Sequence, residues 1–242
     1  MAPSRTLVVG DVHGCLAELE DLLAAARYEP MRDRLVFLGD LMDRGPDPVG
    51  VVRRVRALGA DCLLGNHEEK HLRYAAHEAR RREDPHHRNP VRLDPRRTEE
   101  HLRLSPDDLA WMAALPRALR LDGGWLAVHG GLLPGRPLSR QPPDWLIRLR
   151  FLDATGRPVS REHGGEAGVV RWAQRWTGPS SVVYGHHARE EVVVDEPAPG
   201  VRCVGIDTGC VYGGRLTALA LPGGERIQVP SRQRKATPEQ DD

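Results

Sequence analysis

The chain has 242 residues, is 40% hydrophobic and 29% charged, and carries a formal net charge of +1. That length buries a substantial core and fits one large domain. The near-neutral balance gives no support for a protein that holds nucleic acid by bulk charge. No stretch is apolar for long enough to span a membrane, residues 1–10 lack a signal-peptide run, and Cys15, Cys62, Cys203 and Cys210 form no CxxC pair. The expectation is a cytoplasmic protein with reduced thiols and neither a membrane partner nor a stable nucleic-acid partner.

In chain order, "TLVVG" and "RLVFLGD" are short buried-strand runs that end at a glycine and an acid. Leu16, Leu19, Leu22 and Leu23 follow the first at helical spacing, "DPVGVVRRVRAL" after the second predicts another helix, and "DCLLG" a third strand before a helix from about Glu68. Such alternation predicts an α/β fold with parallel strands. The stretch 78–104 is very polar and reads as a surface insertion, conceivably a lid. Ser105 and Asp108 form a capping-box pattern. "WLAVHGG" predicts a strand, "PDWLIRLRF" a helix, and Glu166–Trp176 another helix. "SVVYGHH", "EVVVDE", "RCVGIDTG" and "RLTALALP" predict strands of a second sheet packed on the first. One domain is expected over 1–230, and a disordered tail over 231–242.

Metal-ligand residue types recur at strand ends. "VVGDVHG" places Asp11 and His13 two apart, so an extended chain points both side chains the same way. "FLGDLMDRG" supplies Asp40, "LLGNHE" Asn66 and His67, "AVHGG" His129, and "VYGHH" His186. Open α/β sheets bind ligands at the carboxyl ends of their strands. Mixed carboxylate, imidazole and amide ligands suit a pair of divalent ions such as Mn²⁺, Fe²⁺ or Zn²⁺.

The ordered set GDxHG, GDxxDRG, GNHE, HGG and GH, from residue 10 to residue 186, resembles the calcineurin-like metallophosphoesterases, in particular their phosphoprotein-phosphatase branch. "IDTGCVYGGRLTAL", "VPSRQR" and "RLRF" further resemble bacterial symmetrical diadenosine tetraphosphate hydrolases, while the segment 152–165 matches nothing recognisable. The resemblance implies a four-layer α/β sandwich, two mixed β-sheets flanked by helices. It implies two divalent metals, Mn²⁺ first with Fe, Zn or Co as others, of which Asp11 and His13 bind one, Asp40 bridges, and Asn66, His129 and His186 bind the second. It implies that Arg44 grips phosphate, that Asp43 orients His67, that His67 protonates the leaving oxygen, and that Asn66 and either Arg148 or Arg150 contact phosphate. The implied reaction is attack by metal-activated hydroxide on diadenosine tetraphosphate, giving two ADP. Two divalent ions, two carboxylates and a hydroxide sum to about +1, which favours a polyanionic substrate.

Other readings remain at this point. Asp43 is the residue kept by protein phosphatases, so a serine/threonine phosphoprotein substrate is the main alternative, followed by a broad phosphomonoesterase, a polynucleotide-end phosphatase, and a degenerate non-enzymatic scaffold. His187 reads as a neighbour of a ligand. His71, His77, His86, His87, His101 and His163 read as solvated residues, Arg80–Arg82 as a solvated face, and Trp145 and Tyr212 as core rather than base-stacking residues. Asp207 reads as a supporting residue, since the lone "DTG" has no second copy with which to build a carboxylate dyad.

Overall fold

The computed structural model describes residues 5–237. In chain order the elements are β1 (Arg5–Val9), α1 (Leu16–Ala25), β2 (Asp33–Phe37), α2 (Pro48–Ala57), β3 (Asp61–Cys62), α3 (Asn66–Glu83), α4 (Pro95–Leu102), α5 (Pro106–Ala113), β4 (Ala118–Arg120), β5 (Trp125–Val128), α6 (Pro143–Arg148), β6 (Phe151–Leu152), β7 (Pro158–Val159), β8 (Val170–Arg171), β9 (Ser181–Tyr184), β10 (Val193–Ala198), β11 (Val201–Gly205), β12 (Arg215–Leu221) and β13 (Glu225–Pro230).

Alternation along the buried strands assigns their faces. In β1, Leu7 and Val9 pack with α1 and α2 residues such as Leu19, Leu22, Val52 and Val55. Val8, from the opposite face, joins Val36, Leu219, Ala127, Val183 and Val204 in the cluster between the two large sheets. Val182 and Tyr184 of β9 face outward onto Ile147, Trp172 and Trp176. Period-two burial on both faces thus stacks helices, sheet, sheet and an outer layer, the expected four-layer arrangement.

The first sheet has the order β13-β12-β1-β2-β3 and the second β10-β11-β9-β5-β4. Strands β1, β2 and β3 are parallel, as the alternation of strands and helices predicts. The strand "RLTALAL" does not join the second sheet as expected. It lies antiparallel to β1, with Val8 opposite Leu219, and carries β13 beside it. Its apolar residues fit a strand buried on both faces, and β1 had an open edge for it. A helix is also missing from Glu166–Trp176, where the structure places β8 and a 3-10 turn at Trp172–Arg175. Trp172 and Trp176 there are pinned through their indole N–H groups to the Gly130 and Ser180 carbonyls.

Ser105 and Asp108 form the expected reciprocal cap at 3.0 and 3.1 Å. The tail is ordered further than the sequence suggests. The backbone N–H of Arg232 and the side-chain amide of Gln233 both reach the buried Glu18 carboxylate, and Ala236 bonds the Tyr212 carbonyl. Residues 238–242 of the expected tail lie outside the described residues.

Candidate metal centre

The loops that leave β1, β2, β3, β5 and β9 bring their motif residues to one crevice. Asp40 is its midpoint. His13, Asp40 and His67 present ligand atoms within 4.8 Å of one another, and so do Asp40, His129 and His186. Both groups are buried and Asp40 belongs to each. The Asn66 Oδ1 lies 3.0 Å from His129 Nε2, which is itself 3.3 Å from Asp40 Oδ2. Asp11 stands just behind, its carboxylate accepting the backbone N–H of His186 at 2.9 Å.

Backbone carbonyls fix which nitrogen each histidine turns inward. His13 Nδ1 donates to the Met42 carbonyl and His129 Nδ1 to the Leu38 carbonyl, both at 2.8 Å, leaving Nε2 toward Asp40. His186 Nε2 donates to the Arg148 carbonyl at 3.2 Å, which leaves Nδ1 for the crevice. Carbonyl partners of this kind orient histidines that ligate metals.

The backbone is strained at the same residues. Among the described residues, six that are not glycine have a left-handed φ, and five of them are His13, Asp40, Asp43, Arg44 and His186. Such conformations cost about 1–3 kcal/mol each and persist where the surroundings over-determine them. Here Glu68 does so: its fully buried carboxylate accepts N–H bonds from Asp40, Leu41 and Met42 at 2.8–2.9 Å and from Gly65 at 3.1 Å. Glycine is required at two contacts, because a Cβ at Gly65 would run into the Asp40 carboxylate and one at Gly185 into that of Asp11.

The electrostatics describe a crevice short of positive charge. Burial, then Asp207 and Asp40, push Asp11 well above the ordinary carboxylate range. Burial would raise Asp40 too, but His129, His67 and His13 outweigh it and hold it well below. Burial, with Arg44 and Arg150 respectively, keeps His13 and His186 in the neutral form that ligates metals. Burial opposes protonation of His129, yet Asp40 carries it to about 9. Two carboxylates, three imidazoles and an amide oxygen around one buried point fit divalent cations, whose charge would relieve the repulsion that Asp11 meets.

Asp43 points away from the midpoint. Its Oδ2 accepts His67 Nδ1–H at 2.5 Å, so His67 Nε2 faces Asp40 Oδ2, 3.9 Å away. The other partners of Asp43 correct the sequence reading. His71, expected to be solvated, is fully buried with Nε2 on Asp43 Oδ1 at 2.8 Å, and its ring stacks on His101. The polar stretch is no mere surface insertion, since Arg97 of α4 is buried with Nε 3.2 Å from Asp43 Oδ2. No periodicity marks these residues, because their partners lie 28 or more positions away. The Arg80–Arg82 face is exposed, as expected. Burial raises Asp43, but the hydrogen bonds from His67 and His71 overcome it and keep the group ionised far below its usual range.

Arg97→Gln is expected to lower Tm by about 4–8 °C, because Asp43 loses one charged donor worth about 2 kcal/mol and keeps two. Calorimetric scanning checks this. An unchanged Tm would mean that the pair's attraction only offsets its desolvation.

The remaining candidates lie at the rim. Arg44 donates to His13 Nε2 at 2.8 Å, with its guanidinium over the Tyr212 ring at 5.5 Å. Arg150 reaches the His186 carbonyl at 3.4 Å, whereas Arg148 is turned to Glu69, a paired state the sequence does not disclose. Asp207 accepts the Gly209 N–H at 3.0 Å, and burial pushes it up to about 6. His187 belongs to neither ligand group and packs edge-on against Phe151.

Known proteins are similar to this chain. The family model for calcineurin-like phosphoesterases matches residues 4–190. A Methylococcus capsulatus protein named symmetrical bis(5'-nucleosyl)-tetraphosphatase is 30% identical over 276 residues, covering 92% of this chain and 94% of its own length. An Oceanobacillus iheyensis protein named asymmetrical bis(5'-nucleosyl)-tetraphosphatase PrpE is 31% identical over 247 residues, covering 93% and 92%. A crystal structure described as a "putative diadenosine tetraphosphatase" superposes with a TM-score of 0.78 at 34% identity, covering 95% of each chain. The carboxyl-end crevice and the family match lead to one conclusion: this chain is a hydrolase belonging to the calcineurin-like phosphoesterase family.

Proposed function

We propose that the protein is a two-metal hydrolase of dinucleoside tetraphosphates that cleaves diadenosine tetraphosphate to two ADP. The observation that carries this reading is the convergence of two buried ligand groups on Asp40 with the His67–Asp43 pair beside them. Asp11, His13 and Asp40 would hold one ion, and Asp40, Asn66, His129 and His186 the second, with Mn²⁺ suited to the mixed oxygen and nitrogen donors. When bound, the ions supply Lewis acidity to the phosphoryl group and acidify a water. His67, anchored through Nδ1 on Asp43, turns Nε2 toward the metal side, in position to act as the acid for the oxygen that leaves. Arg44, backed by the Tyr212 ring, grips phosphate oxygens through its planar fork. Asn66 starts α3, so its amide and the helix N-terminus favour an anion there, and Arg150 adds positive charge on the His186 side, where Arg148 is paired with Glu69.

Asymmetrical cleavage to AMP and ATP is the second reading. The PrpE relative aligns over 247 residues, close to this chain's 242, whereas the symmetrical relative needs 276. Asp43 keeps a phosphoprotein substrate as the third. Among the described residues no helix is long and apolar enough to cross a membrane, and all four cysteines are free and buried, which suits a reducing cytoplasm.

Product analysis decides between these. With Mn²⁺, diadenosine tetraphosphate should yield two ADP, and chelation should abolish turnover. AMP plus ATP would establish the second reading. Phosphate release from a phosphothreonine peptide without dinucleotide cleavage would overturn both.

A further inference from the structure

The segment 152–165, which resembles nothing in the sequence, builds one wall of a cavity next to the metal centre. Strand β6 is separated from α6 by two residues and pairs with β7, which a short turn at Arg161–His163 follows. Between this hairpin and α6 lies a cavity of about 600 Å³, lined by Trp145, Arg148, Arg150, Arg161, the 158–160 edge and one acid, Glu162, so that three arginines face a single carboxylate. Its inner end touches the centre, because Arg150 bonds the His186 carbonyl and the Arg148 carbonyl accepts from His186 Nε2.

Its chemistry is specific. Trp145 is only partly buried against the outer core cluster and is one of the residues that line the cavity. Arg150 and Arg161 bring planar forks that match phosphate oxygens, and Arg148, already paired with Glu69, closes the side toward α3. An aromatic face beside arginines, a short step from a phosphoryl-cleaving centre, has the chemistry of a nucleotide rather than of a phosphopeptide, whose side chains share no common flat face. The volume falls within the usual range of about 300–1,000 Å³ for small-molecule sites.

We propose that this cavity receives one nucleoside end of the substrate, with the Trp145 indole against the base and Arg150 and Arg161 on the outer phosphates. The inference rests on the nucleotide reading above and assigns its specificity to Trp145 and the 158–162 hairpin edge. A second cavity of about 480 Å³ beside Tyr212, Arg215 and Lys235, on the Arg44 side, is its direct competitor.

The test is a matched pair of non-hydrolysable ligands, α,β-methylene-ADP and methylenediphosphonate, titrated calorimetrically into the Mn²⁺-loaded protein. They share the P–C–P core and differ in the nucleoside, whose ester also removes one ionisable oxygen, so the variants are read as a change in the ratio of the two affinities. The wild type should bind the nucleotide about tenfold or more tightly, since base stacking on an aromatic ring is worth about that. Trp145→Ala should bring the ratio near one, and Trp145→Phe should restore most of it. Arg161→Gln, at the rim and away from the core, should weaken the nucleotide about fivefold, which keeps the test open if Trp145→Ala does not fold. Equal affinities in the wild type, or a ratio lost in Tyr212→Ala and kept in Trp145→Ala, overturns the proposal. The dinucleotide reading fails separately: a protein that prefers the nucleotide yet does not cleave diadenosine tetraphosphate keeps this cavity and loses that substrate.

Discussion

Asp43→Asn should slow the hydrolysis of alkyl phosphates by about 10²–10³ in kcat and that of diadenosine tetraphosphate by less than tenfold. Asp43 acts on His67, whose Nδ1 it holds at 2.5 Å. The carboxylate both fixes the tautomer and stabilises the charged imidazole from which a proton leaves. How much that matters depends on the leaving oxygen. An alcohol is about as weak an acid as water, about 15.7, so its alkoxide leaves poorly and needs the proton. The terminal phosphate of a nucleoside diphosphate ionises near about 6 and departs without it. Equal losses on both substrates would remove the leaving-group argument and with it His67's role as the acid. The same variant has a stability signature. Asp43 is held far below the ordinary carboxylate value of 3.8 in the folded protein, so its ionisation stabilises the fold above that pH. That contribution fades as the pH falls below it. The deficit of Asp43→Asn in Tm should therefore be largest at neutral pH and shrink in acid.

Glu68→Ala should cost about 4 kcal/mol and lower Tm by about 8–16 °C. The carboxylate is the acceptor for four buried N–H groups, those of Asp40, Leu41, Met42 and Gly65. An unpaired buried donor costs about 1–3 kcal/mol, and water entering the vacated space recovers part of the sum. Glu68→Gln should fall between, because its amide keeps one oxygen and turns N–H groups toward other N–H groups. Asp40 sits on this loop with a left-handed φ of 50°, so Mn²⁺ stoichiometry by elemental analysis should fall with Tm. A shift of under 2 °C with full metal content would show that other contacts hold the loop.

These two residues mark different depths of legibility. Asp43 stands in one motif and its partner His67 in another, so the family resemblance those motifs carry implies the pairing. Glu68 is visible as part of "GNHE", yet its work is done on backbone groups, which leave no mark in a sequence. Arg97 and His71 are harder still. Each lies in a stretch whose polarity reads as solvated, and each is buried because one carboxylate, Asp43, gathers them. Polar residues signal exposure on average, and only a folded partner shows when they do not.

The sequence by itself determined the parallel β1-β2-β3 core and the carboxylate, imidazole and amide side chains delivered at five strand ends. Those features are local: a short apolar run makes a strand, a glycine turn ends it, and the next residue inherits its place at the sheet's carboxyl edge. The tertiary structure alone decided that β12 and β13 extend the first sheet, that Glu68 fastens the Asp40 loop, and that Trp145 and Arg161 line one cavity. Each of these depends on which unpaired edge, N–H group or apolar face is still open once the core has formed. That is a property of the packed chain, not of any segment in it.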